Sequence, residues 1–81
     1  MADVVYVLTH GKFVVGASAD KEEMVAEGLR VLRHTDSMED VWEIDPYMRY
    51  RETLRYRPAR SGRWNTSDVS ITRMVVGEVG H

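Results

Sequence analysis

Six arginines, Arg49, Arg51, Arg55, Arg57, Arg60 and Arg63, fall within fifteen consecutive positions that hold a single acid, Glu52. A guanidinium is a permanently charged planar fork of donors that grips carboxylates and phosphates in bidentate fashion. Four of the six occupy odd positions, 49, 51, 55 and 57, while Met48, Tyr50, Leu54 and Tyr56 take even ones. That alternation predicts a strand over residues 48–57 with one apolar and one arginine face. A helix competes, because Tyr47, Tyr50, Arg51 and Leu54 also fall at helical steps. Same-face strand neighbours lie about 7 Å apart, inside the screening length of about 8 Å at physiological salt. The row therefore repels itself unless an anion neutralises it. The neutralising groups are internal if Asp36, Glu39, Asp40, Glu43 and Asp45, just upstream, lie beside the strand. They are external if the row meets phosphates or another protein's carboxylates. Trp64 on the following loop joins Arg60 and Arg63 in an arginine and aromatic set of the kind enriched at protein interfaces.

The rest of the chain carries no comparable constellation of chemical groups. His10, His34 and His81 stand far apart, and there is no cysteine, so neither metal-ligand spacing nor a thiolate site is present. No serine sits on a strand-to-helix elbow, and Gly11, Gly16, Gly28 and Gly62 form neither a phosphate loop nor a dinucleotide fingerprint. The adjacent Glu22 and Glu23 read as solvated helix carboxylates rather than an acid and base pair. These observations predict a protein that is not an enzyme and uses no metal and no cofactor.

The 81 residues suffice for one domain, 1–81, and not for two. With 43% hydrophobic and 30% charged residues the composition is globular. The longest apolar run, residues 4–8, is too short to span a bilayer, and no leader pattern opens the chain, so the expectation is a cytoplasmic protein away from membranes. The net charge of −2 conceals a dipolar distribution. Residues 1–45 hold ten acids against four Lys/Arg, and residues 46–81 hold three against seven.

The elements that must position the arginines follow from local pattern. Residues 4–8 are β-branched and aromatic without alternation, which suits a central strand. His10-Gly11 offers a tight turn, and residues 13–17 read as the return strand. Asp20, with Glu23 three residues on, predicts a capping-box start for a helix over 20–33. Its apolar stripe is Met24, Val25, Gly28, Leu29, Val31 and Leu32. Gly28 on that stripe predicts a close approach to the sheet. The core is expected to combine Val25, Leu29 and Leu32 with Tyr6, Val15, Trp42 and Ile44. Residues 34–37 read as a polar exit loop, and residues 41–44 as a third strand stopped by Pro46. Residues 58–68 carry loop chemistry. Residues 69–76 form a last strand, with a β-bulge expected near Arg73, where an arginine lands at a position due an apolar residue. The terminus should fray from about residue 77. The resulting class is α+β in the order ββαβββ, a mostly antiparallel sheet of about five strands with one amphipathic helix on one face.

The run VYVLTHGKFVVGASADKEEMVAEGL, followed by VWEID, resembles the hairpin-helix-strand plan of small uncharacterised proteins of actinobacteria and their bacteriophages. The resemblance covers residues 4–45, and nine Arg against two Lys fits a GC-rich genome of that kind. It implies an accessory factor that binds and redirects a host protein, and it carries no functional residue with it. The reading that results is a non-enzymatic interaction protein. Its expected partner-binding residues are Arg49, Arg51, Arg55, Arg57, Arg60, Arg63 and Trp64. The alternative is a nucleic-acid binder that sets the arginine face of 48–57 on phosphates and stacks Tyr50, Tyr56 or Trp64 on bases. Two open sheet edges and a self-complementary charge distribution also predict a two-fold homodimer.

Overall fold

The computed structural model describes residues 3–33, 38–60 and 62–76, so the expected exit loop at 34–37 and frayed terminus from 77 lie outside the described residues. The chain runs β1 (Asp3–His10), β2 (Phe13–Ser18), α1 (Lys21–Leu32), β3 (Met38–Ile44), β4 (Arg51–Pro58) and β5 (Asn65–Val76). All five strands join one antiparallel sheet in the order β2-β1-β5-β4-β3. The α+β class and the ββαβββ order are those the sequence predicts.

The Val-rich β1 is an inner strand, paired with β2 on one side and β5 on the other. Its hairpin to β2 turns at Gly11, whose φ of 62° lies in the left-handed region that glycine enters without steric cost. The Gly11 amide donates to the Asp68 carbonyl at 2.8 Å, and His10 Nε2 lies 3.1 Å from Asp68 Oδ1, so β5 holds the hairpin tip from the side.

The helix starts where the cap residue predicts, with a different set of bonds. Asp20 Oδ1 accepts from the Glu22 amide at 3.0 Å. The expected return bond from Glu23 is relayed instead: Ser18 Oγ accepts from the Asp20 amide and donates to Glu23 Oε2. At the other end Arg33 adopts the left-handed conformation, φ 60° and ψ 44°, and its amide donates to Arg30 O.

By register, Tyr6, Leu8, Trp42, Glu52, Leu54, Ile71 and Arg73 share the helix side of the sheet. Leu8, Leu54, Val69, Ile71 and Met24 are the buried apolar core, with Tyr6, Val25, Leu29, Val31, Leu32 and Trp42 packed partly buried around them. The helix lies over β1, β2 and β5. Trp42 reaches across from β3, and a Cβ at Gly28 would sit 2.8 Å from its Cη2 and 3.3 Å from Leu8 Cδ1. The close approach read from Gly28 is therefore real, and its occupant is an aromatic ring. Two expected core members fall outside. Val15 is the extra residue where the β1–β2 register shifts, and Ile44, the last residue of β3, is exposed.

Three boundaries in the second half differ from expectation. Residues 45–50 form a turn, so β4 starts at Arg51 rather than 48. Asp45 is the cause: its Oδ1 accepts from the Tyr47 and Met48 amides, its own amide donates to Arg51 O, and the Arg51 amide donates to Met48 O. The loop chemistry of residues 65–68 is absorbed into β5, which begins at Asn65. The register irregularity is also elsewhere. β5 pairs with β1 without a shift through Arg73, and the break lies on the β4 side, between Thr53 and Arg55. There Ser67 Oγ donates to Leu54 O at 2.7 Å and accepts from the Val69 amide, filling the bonds the ladder loses.

Candidate interaction surface

The side of the sheet away from the helix has no second layer among the described residues. Arg51, Arg55 and Arg57 of β4 lie there, with Glu39, Val41 and Glu43 of β3 and Ser70, Thr72 and Met74 of β5. Of the upstream acids, Glu39 and Glu43 lie beside the row; Asp40 is on the helix side, Asp45 is in the turn before β4, and Asp36 lies outside the described residues. Arg55 Nη1 donates to Glu43 Oε2 at 2.9 Å, a diagonal pair, and Arg57 Nη2 donates to Glu39 Oε1 at 2.5 Å, a direct cross-strand pair. The Arg57 guanidinium also lies 5.0 Å from the centre of the Trp64 ring, within cation–π range. Arg51 takes a third partner, with Nη1 3.9 Å from Met48 Sδ.

These arginines lie along the sheet rather than standing off it. The Nε atoms of Arg51 and Arg55 are buried without a hydrogen-bond partner, which is the signature of aliphatic stems pressed down on their neighbours with only the fork presented to water. Ser70, on this same side, is only 2% exposed, and its Oγ lies 3.3 Å from Thr53 Oγ1. Arg51 and Arg55 flank Thr53 along β4 and are long enough to cover that polar pair. A shallow recess of about 200 Å³ opens beside them, lined by Glu43, Asp45, Pro46, Thr53, Arg55 and Thr66. Val41, paired with Arg55, remains exposed in the same field, and Met74 is exposed at the far end of β5.

The seven residues picked from sequence thus divide. Arg51, Arg55, Arg57 and Trp64 come together on the open face. Arg60 and Arg63 are exposed on the connection between β4 and β5. Arg49 is not on the strand at all. It belongs to the 45–50 turn and faces a groove on the helix side, which it lines with Lys21 of α1, Tyr50, and Arg73 of β5. Tyr56 likewise lies on the helix side, opposite Asp40 in β3. The groove escaped sequence reasoning because its cations come from three distant segments. The one signal was Arg73 itself, an arginine where the pattern called for an apolar side chain.

Among the described residues no cluster of three or more His, Asp or Glu is placed to hold a metal ion, and no helix is long and apolar enough to cross a membrane. The two edges of the sheet differ. β3 carries Glu39, Asp40 and Glu43, whereas β2, FVVGAS, has no charged residue and exposes Phe13 and Val14 at 77% and 68%. No family model, no curated protein and no solved structure matches the chain.

Proposed function

We propose that this chain is a non-catalytic binding module that docks a protein partner on its open sheet face, around Arg51, Arg55, Arg57 and Trp64. The observation that carries this reading is the matching of Arg57 and Arg55 by Glu39 and Glu43 beside Trp64 and Val41. A phosphate track is unmatched positive charge. A field of paired charges, aliphatic patches and an aromatic anchor has the make-up of a protein interface. The nucleic-acid alternative has weaker support, since Tyr50 and Tyr56 lie on the other side from the row. The resemblance to actinobacterial and bacteriophage proteins gives the proposal its form, an accessory factor acting on a host protein.

The test is capture of partners from a lysate of the source cells with and without nuclease. The bait is the parent chain, Trp64→Ala, or the Arg55→Gln/Arg57→Gln double variant. The proposal expects a nuclease-resistant protein partner whose binding falls in both variants, because arginine and aromatic anchors dominate interface energetics together. A nuclease-sensitive partner lost only in the arginine variant would replace it with nucleic-acid binding.

A second reading concerns self-association, and the uncharged β2 edge favours it. Natural sheets guard exposed edges with charge or proline, as β3 does here, so an unguarded edge pairs readily with its own symmetry copy. Light scattering should show a dimer that Val14→Lys converts to monomer. A monomer of 9.3 kDa at high protein concentration would end this reading.

A further inference from the structure

The groove on the helix side is a separate feature from the open face, and its chemistry is more specific. Its volume is about 340 Å³, and its charged lining is Lys21, Arg49, Arg73 and Glu52, with the rings of Tyr6 and Tyr50 beside them. Lys21 Nζ and Glu52 Oε2 are 2.6 Å apart, so that pair is internally satisfied. Arg49 and Arg73 have no ion pair among the described residues. Their positions are nevertheless built. Arg73 is fixed by the continuous β1–β5 ladder, opposite Tyr6, and its amide donates to Tyr50 O at 2.7 Å, which ties the 45–50 turn to β5. The Asp45 bonds hold the same turn from the other side. Two arginines from separate segments are thus presented to one cavity by backbone that is already ordered, the condition under which little entropy is lost on binding.

Arg73 stands on the helix side of β5 past the buried Ile71 and is itself exposed, so its side chain is open to a ligand from solution.

We infer that this groove binds a small phosphate monoester, with the phosphoryl group between Arg49 and Arg73. The charge selects the ligand class. With Lys21 and Glu52 offsetting each other, the lining presents two uncompensated positive charges. A phosphate monoester carries about −1.5 to −2 at neutral pH and offers three acceptor oxygens, so it matches both guanidiniums. A monocarboxylate leaves one unmatched. The volume lies at the small end of the range for ligand pockets and leaves room for an organic body against the tyrosines.

The experiment is an NMR titration of the intact chain, following the amides of Tyr6, Tyr50 and Arg73, with three probes: inorganic phosphate, glycerol phosphate and adenosine monophosphate. Saturable shifts at these amides are expected with both esters. Arg73→Gln and Arg49→Gln should each weaken binding by about tenfold or more, the loss of one charge-assisted contact. Arg49 sits in an exposed turn, so its variant retains the fold even if that of Arg73 does not, and Arg57→Gln on the opposite face should bind as the parent does. Adenosine monophosphate binding more tightly than glycerol phosphate identifies a nucleotide body stacked on tyrosine, and equal binding identifies recognition of the phosphoryl group alone. Both support the assignment. Absence of saturable shifts with either ester, equal loss in Arg57→Gln, or full binding in Arg49→Gln overturns it. Failure here leaves the protein-docking reading of the open face untouched, because the two sites share no residue.

Discussion

The two halves of the sheet are covered by different materials. Over β1, β2 and β5 lies an amphipathic helix, and the residues beneath it, Leu8, Val69 and Ile71, are essentially inaccessible. Along β4, on the opposite side, the cover is arginine: the stems of Arg51 and Arg55 laid on the sheet, the forks of Arg55 and Arg57 held by Glu43 and Glu39, and Trp64 beside Arg57. Burying apolar area stabilises by about 25 cal/mol per Å², whereas a half-exposed ion pair contributes about 0–1 kcal/mol. The helix therefore carries stability. The arginine cover contributes little to it, so its composition is open to selection for binding. Leu54 and Trp42 hold the halves together, the first at full burial in β4 and the second reaching from β3 to the helix.

If that division is right, the largest effects come from residues that join the halves. Leu54→Ala should cost about 3–5 kcal/mol, the upper range for truncating a fully buried leucine, and enough to unfold most of a domain of this size. Leu29→Ala, on the helix stripe but only partly buried, should cost nearer 2 kcal/mol. Urea denaturation of the two variants orders them. Equal costs would mean that the helix side is packed as tightly at its margin as at its centre, and the comparison would fail.

Gly28→Ala sets two effects against each other. Alanine is the better helix former by about 1 kcal/mol. Its Cβ, however, would lie 2.8 Å from Trp42 Cη2 and 3.1 Å from Cζ2, closer than carbon atoms approach without a shift. The obstacle is a rigid ring reaching from β3 to α1, and overpacking of this kind costs about 1–3 kcal/mol. The sum is a net loss of about 1 kcal/mol, read as a lower thermal midpoint. A second change, Trp42→Phe, shortens the ring and should reverse the sign of the Gly28→Ala effect. A stabilising Gly28→Ala in the parent background would show that Trp42 is free to move and does not link the halves.

How far the sequence reveals this arrangement depends on how local the determinant is. Asp20 caps α1, Gly11 turns the first hairpin, and Gly28 marks a close approach, each because one residue and its neighbours decide the outcome. Strand faces are legible for the same reason: Arg51, Arg55 and Arg57 share a side, as alternation requires. The start of β4 was not, because Asp45 captures the amides of Tyr47 and Met48 and delays the strand by three residues. Arg49 moved to the other side of the sheet with that turn. The pairing of Glu39 with Arg57 depended on the β3–β4 register, which the sequence left open between internal and external neutralisation. The groove beside Arg73 depended on sheet order, since it assembles Lys21, Arg49 and Arg73 across more than fifty positions. Composition had no means of placing those three together.

The smallest expected stability change falls on the arginine cover, and it separates the two halves most sharply. Arg55 and Arg57 are about one-third exposed and their partners Glu43 and Glu39 more than half, so solvent screens both pairs. Replacing both arginines with glutamine removes two weak ion pairs and the stacking on Trp64, and retains part of each aliphatic stem. The expected loss is about 1 kcal/mol or less in total, and 1 M salt should narrow the difference from the parent further. Arg55→Ala acts differently, because it strips the stem as well and gives water access to Ser70 and Thr53. Hydrogen exchange at the Ser70 amide should then quicken while Leu8 and Ile71 stay protected. A loss above about 3 kcal/mol for the glutamine pair would place the arginines among the stabilising elements. The open face would then have little freedom to vary for a partner.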